Sequence, residues 1–188
     1  MITETSDLTR CFGGGDPLYE AYHDTEWGIP VHGEAALLER IVLEGAQSGL
    51  SWLTILRKRD NYRSAFEGFE PEAVAAFDDD EVERLMADAG IVRNRRKIES
   101  AIVNARATVA LHEAGETLDA LFWSHAPEPR AAAPANWNEV PASTPESVAL
   151  ARALKSAGFV FVGPTTMYAA MQACGLVNDH IAGCVVLS

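Results

Sequence analysis

Cysteine is scarce in this chain. Cys11, Cys174 and Cys184 are its only cysteines in 188 residues, too few and too scattered for a disulfide framework. They are read instead as reduced thiols or metal ligands. Long apolar runs are missing as well: none approaches the roughly 18–20 residues of a membrane span. The polar, acidic start MITETSDLTR lacks the pattern of a secretory signal. The expectation is a soluble, cytoplasmic protein. Positive charge is the third shortage, with 15 Lys and Arg against 27 Asp and Glu and a formal net charge of −12. By itself that balance disfavours a polyanionic partner. Net charge is a weak exclusion, because binding depends on where the cations sit. Arg57-Lys58-Arg59 and Arg93-Asn94-Arg95-Arg96-Lys97 hold seven of the 15. Two solvated helix faces account for that clustering equally well.

The residues present are 48% apolar, enough for one well-packed domain or two lobes sharing a cleft. Helical signals dominate. Apolar spacing predicts helices over Glu34–Gln47, Leu50–Arg59, Asp80–Asp88 and Arg95–His112, with a short acidic helix opening at Pro71. Ser143-Thr144-Pro145-Glu146 starts another: either Ser143 and Glu146 form a capping box, or Thr144 caps with proline at the first helical position. A last helix spans about Thr165–Cys174. Phe159-Val160-Phe161-Val162 has no nearby strand partner and reads as a buried connector. Pro127–Pro145 reads as a long surface loop anchored by Trp137. The expectation is one all-α domain over residues 1–188.

Within LEGAQSGLSW, Glu44 falls on the apolar stripe of its helix, three and seven residues after Ile41 and Leu37. Gly45 and Gly49 place it near the helix C-terminus, where the dipole disfavours negative charge. Burying an unpartnered carboxylate there costs several kcal/mol. An acid in such a place calls for a cationic partner.

Two further constellations carry chemistry. His180 and Cys184 lie four apart, one turn on one face if helical, while Cys11 and His23 flank Gly13-Gly14-Gly15 near the other terminus. Together they form a Cys₂His₂ set suited to a closed, tetrahedral structural zinc site that would tie the termini together. The alternative is a buried cysteine, a capping histidine and coincidence. In LMADAGIVR, a turn centred on Gly90 lies between two predicted helices and is followed by Arg93, Arg95, Arg96 and Lys97. Backbone N–H groups at such a turn, with the helix dipole, suit a phosphate. This is the arrangement of a helix-hairpin-helix element, which grips a nucleic-acid backbone without reading bases. Tyr19, Tyr22, Trp27 and Trp52 are each best explained as core residues. As a set near a buried acid they can box a flat ring.

DPLYEAYHDTEWG, LEGAQSGLSW, DAGIVRNRRKI, STPES and FVG followed by MQACGLVNDHIAGC resemble the bacterial 3-methyladenine DNA glycosylase I family, in order, from about Cys11 to Cys184. The resemblance implies a helix-hairpin-helix glycosylase fold, with the motif at about 81–112. It also implies a structural zinc held by Cys11, His23, His180 and Cys184 in terminal segments 11–27 and 174–184. Glu44, Tyr22 and Trp52 are then implied to line a pocket for a base flipped out of alkylated double-stranded DNA. Tyr19 and Trp27 stand nearby, and Leu50 is a candidate plug for the gap left in the duplex. The implied enzyme is a monomer, cleaves the N-glycosidic bond without strand cleavage, and has no assigned general base. The sequence departs from the family pattern at Phe12-Gly13-Gly14-Gly15, where a tryptophan is expected just after the first cysteine. The Cys11–His23 spacing is about one residue short, and the loop Pro127–Pro141 also differs. Two rival readings are a zinc-stabilised DNA-binding module without chemistry and a hydrolase with an open catalytic zinc.

Overall fold

The computed structural model describes residues 9–187. The acidic stretch before Thr9 lies outside the described residues. Among those residues there are ten α-helices, short 3-10 turns and no named strand, as the helical periodicities require. An isolated parallel bridge joins Thr9 to Cys184, and the Val185 N–H donates to the Thr9 carbonyl, so the two ends of the chain meet. No helix among these residues is long and apolar enough to cross a membrane.

The hub is α2, Glu34–Gln47, whose bounds coincide with the predicted ones. Every residue from Leu37 to Ala46 is buried, so helices pack on all its sides. Its neighbours include α7 (Arg95–Glu113), α10 (Pro164–Ala173), α8 (Leu118–Trp123) and α3 (Trp52–Leu56). Burial on every side forces charged residues of α2 into the interior as well, and Glu39, Arg40 and Glu44 are each under 10% exposed.

Several boundaries differ from the periodicity. The helix expected over Leu50–Arg59 is cut short to α3, and after a break at Arg57 and Lys58 a helix that the spacing does not signal, α4 (Arg59–Ala65), begins where the expected one ends. Ser51 caps α3 by accepting from the Thr54 N–H, which fixes its start after Leu50. A further helix, α1 (Pro17–Thr25), begins behind Asp16, whose side chain accepts from the Leu18 and Tyr19 N–H groups. The remaining helices are α5 (Pro71–Ala75), α6 (Asp79–Ala87) and α9 (Pro145–Ser156). Of the two caps open for α9, Thr144 is used, with Pro145 in the first turn and Ser147 completing the box. The connector Phe159–Val162 is buried only at its ends, at Phe159 and Val162, and not throughout as expected, since Val160 and Phe161 between them are exposed. Gly175 ends α10 at φ +74°, where a Cβ would come within 2.6 Å of the Ile29–Pro30 backbone. Glycine there lets the N-terminal segment lie against α10.

Candidate functional site

Three ionisable residues of α2 are buried, and they are treated differently. Arg63 holds Glu39 with two hydrogen bonds of 2.8 Å. Arg40 donates to Glu26 at 3.0 Å, and Arg59 grips the same carboxylate through both its terminal nitrogens. Glu44, 7% exposed, has no hydrogen bond or ion pair among the described residues. Burial pushes its carboxyl up to about 8, with Arg40 pulling the other way. Arg40 is four residues back on the same helix, but Glu26 draws its guanidinium aside, over the Tyr22 ring. The interior acid is therefore not neutralised by the nearest cation.

Around Glu44 lies a small pocket of about 160 Å³ lined by Phe12, Tyr19, Tyr22, Trp27, Gln47, Trp52, Trp137, Ala169 and Gln172. All four aromatics singled out in the sequence are among its walls. The helical register of α1 puts Tyr19 and Tyr22 three residues apart on one face, with ring centroids 6.4 Å apart. Trp52, at the start of α3, packs on Tyr22 at 5.4 Å. Its indole N–H is buried and has no hydrogen-bond partner. Leaving such a donor bare costs about 1–3 kcal/mol. The pocket thus presents flat aromatic walls around one buried, unpartnered carboxyl: it suits a flat, positively charged ring, whose charge favours the ionised form of the acid. A larger cavity of about 560 Å³ lies under Pro127–Ala133, but neither Glu44 nor its aromatic box borders it.

Sequence reasoning missed Phe12, Gln47, Ala169, Gln172 and Trp137 as pocket residues. Gln47 was findable, three residues after Glu44 on one helix. Trp137 had no local signal, because it arrives from a loop distant in sequence.

Cys11, His23, His180 and Cys184 converge, with their ligand atoms all within 4.8 Å of one another. Cys184 Sγ lies 3.4 Å from His23 Nε2 and 3.5 Å from His180 Nδ1, which is also 3.5 Å from Cys11 Sγ. The second ring nitrogens are held from behind. His23 Nδ1 meets Asp24 Oδ1 at 2.8 Å, and His180 Nε2 meets the Trp27 carbonyl at 3.2 Å. A carbonyl only accepts, so His180 donates from Nε2 and turns an unprotonated Nδ1 to the sulfurs. Contrary to the helical spacing considered for His180 and Cys184, residues 178–181 are irregular and a turn at Ala182-Gly183 leads to Cys184. The set can hold a metal ion. It abuts the pocket: Phe12 follows Cys11, Tyr22 precedes His23, and the Trp27 ring packs on His180 at 4.6 Å. The shortened Cys11–His23 link leaves the four ligand atoms together.

The basic cluster lies where α6 turns into α7 through 88–94. Arg93, Arg95 and Arg96 are exposed. Arg95 pairs with Glu83 at 2.5 Å, and Arg96 lies over the Phe161 ring. Lys97 is committed inward: its ammonium donates to the Ala46 and Ser48 carbonyls, each at 2.7 Å, closing the end of α2. The turn is braced from within. Asp88 accepts the Gly90 N–H at 2.7 Å, Tyr62 the Val92 N–H at 3.2 Å, and Lys58 donates to the Ala89 and Gly90 carbonyls. A Cβ at Gly90 would stand 3.1 Å from Asn61 and 2.9 Å from Asp88, so glycine keeps the turn tight against α4. Leu50 is 40% exposed on the link between α2 and α3.

The model of the methyladenine glycosylase family matches residues 12–187. The DNA-3-methyladenine glycosylase 1 of Escherichia coli (strain K12) is 51% identical over 179 residues, covering 94% of this chain and 96% of that protein. A crystal structure of 3-methyladenine DNA glycosylase I superposes with a TM-score of 0.90 at 50% identity, covering 94% of this chain and 98% of the other. A tyrosine-to-phenylalanine variant of a 3-methyladenine DNA glycosylase I, solved in complex with 3-methyladenine, superposes at 0.87 with 34% identity over 93% of this chain and 94% of the other.

Proposed function

This chain belongs to the methyladenine glycosylase family, and from that premise we propose that it excises 3-methyladenine from alkylated double-stranded DNA by hydrolysing the N-glycosidic bond. The observation that carries the reading is the unpaired buried Glu44 inside an aromatic box. Methylation at the third ring position makes the base cationic, and a cationic purine is already a good leaving group. Glu44 selects it by charge and by accepting from its edge, whereas neutral adenine gains much less. Tyr22 and Trp52 stack on the ring, with Tyr19 and Trp27 behind them, each aromatic contact adding roughly 1–3 kcal/mol.

As the bond breaks, its electron pair goes to the purine nitrogen, and water attacks the oxocarbenium-like sugar and gives its proton to solvent. Glu44 stabilises the bound cation. No lysine lies among the pocket residues to form a Schiff base, which supports hydrolysis without strand cleavage.

The same reading makes α6, the turn and α7 a helix-hairpin-helix element, with Arg93, Arg95 and Arg96 on phosphates. Gly90 shapes the turn, Lys97 braces α2, and Leu50 fills the gap left by the extruded base. The four-ligand set fits zinc. Bond lengths near 2.3 Å to sulfur and 2.05 Å to nitrogen in a tetrahedron separate S and N donors by about 3.5 Å, and three of the four S···N pairs lie at 3.4, 3.5 and 3.5 Å. With four protein ligands the ion would have no open position, so its role is to tie the ends of one 188-residue domain and to fix the pocket walls next to its ligands. The protein is read as a monomer.

The decisive experiment is incubation with methylated duplex DNA, followed by identification of the free bases. Release of 3-methyladenine with intact abasic strands is expected. A protein that binds the duplex and releases no base would be a binding module.

A further inference from the structure

Most of the pocket is built by α1 and the segments beside it, α2, α3 and α10, but one wall comes from far away. Trp137 lies in the long segment after α8, more than 80 residues from Trp52, and lines the same pocket. Its centroid is 6.4 Å from Phe12 and 6.2 Å from Trp27. Tyr22, Trp27 and Trp52 are each under 10% exposed, whereas Trp137 is 41% exposed. It therefore stands at the mouth of the pocket and not in its floor.

Two long-range hydrogen bonds hold it there. The Trp137 indole N–H donates to the Cys11 carbonyl at 3.0 Å, and the Ala182 N–H donates to the Pro134 carbonyl at 2.8 Å. Locally, Asn136 accepts the Asn138 N–H and Glu139 accepts the Ala135 N–H, closing the turn that presents the ring. A tryptophan that served only to anchor the loop would gain most by burying its ring, at about 25 cal/mol per Å² of apolar surface. Here the polar edge is tethered and much of the ring remains in solvent beside the opening.

We infer that Trp137 is a base-binding outer wall of the pocket. It closes over the outer side of an extruded purine, and its tether to the Cys11 carbonyl sets its position. A flat aromatic base that reaches Glu44 is then held between inner rings and this outer one, so Trp137 adds to the retention of a fully inserted base. The inference rests on the base-pocket reading proposed above.

The test compares wild type, Trp137→Ala and Trp137→Phe by titration with free 3-methyladenine, together with 3-methyladenine release from methylated duplex. Metal content and affinity for undamaged duplex are measured on the same samples. Trp137→Ala is expected to bind 3-methyladenine about five- to tenfold more weakly, the low end of base–aromatic stacking. KM should rise more than kcat falls, with metal content and undamaged-duplex affinity unchanged. Trp137→Phe keeps an aromatic face without the tether and should recover most of the binding. Equal binding by wild type and Trp137→Ala overturns the inference alone. So does Trp137→Phe binding as weakly as Trp137→Ala, or a loss of binding that follows loss of metal. A wild-type protein that neither binds nor releases 3-methyladenine overturns the glycosylase reading, and this inference with it.

Discussion

Replacing Glu44 by Gln should make the protein more stable and less active, and the stability gain should depend on pH. Burial raises the Glu44 carboxyl from an ordinary 4.5 to about 8. At 1.36 kcal/mol for each tenfold change in ionisation, the buried anion is disfavoured by at most roughly 5 kcal/mol. Relaxation of the site and entry of water reduce that ceiling, and about 2–4 kcal/mol is expected. The sign follows from proton linkage. Between pH 4.5 and about 8 the folded chain holds a proton on Glu44 that the unfolded chain has released, so this residue's contribution to stability falls as pH rises. Glutamine is close in shape and does not titrate. The Glu44→Gln variant should therefore match wild type near pH 4.5, gain on it steadily, and level off above pH 8. Urea unfolding of both proteins at pH 5, 6, 7 and 8 measures the difference. Release of 3-methyladenine by the variant should fall roughly 10- to 100-fold, from loss of one charge-assisted hydrogen bond. In wild type, kcat/KM should climb with pH toward about 8 as the acid ionises, and the variant should lack that climb. A stability difference that stays flat from pH 5 to 8, or a variant as active as wild type, would refute the idea of an acid held unpaired for a cation.

The other predictions address the supports of the pocket. One zinc per chain is expected by elemental analysis, and a cobalt-substituted sample should show a tetrahedral S₂N₂ spectrum that added anions do not alter. A spectrum that responds to anions would indicate an open coordination position. Cys184→Ser should lose the metal and loosen Phe12, Tyr22 and Trp27 together, seen as weaker 3-methyladenine binding. Removing Arg93 and Arg96 together should weaken binding to any duplex uniformly and reduce the salt slope by nearly two, at about 0.9 per phosphate contact. Lys97→Met should behave differently, lowering stability by about 1–3 kcal/mol by baring the Ala46 and Ser48 carbonyls. Its salt slope should barely move, and an equal change in slope for both sets would show that Lys97 also faces phosphate.

The parts of this fold legible in the sequence are those written in local spacing. Glu34–Gln47 was bounded correctly because its apolar stripe spans four turns, and Glu44 was conspicuous because it interrupts that stripe with a charge. The end of α3 at Leu56 and the new start of α4 at Arg59 are not legible, since no proline or glycine marks the break at Arg57 and Lys58. Arg93–Lys97 read as one basic run. The structure divides it by direction, with the arginines outward and Lys97 turned onto the end of α2.

Residue types and their spacing were enough to reveal the available chemistry: a misplaced acid, four soft and imidazole ligands, a set of flat rings and a cluster of cations. Composition and periodicity depend only on residue type and near neighbours, so they report such local facts. It takes the packed chain to show that Arg40 pairs with Glu26 and leaves Glu44 unpaired, and that Trp137 reaches the pocket mouth from a distant loop. Both depend on three-dimensional distances between segments remote along the chain, and no spacing in the sequence encodes those distances.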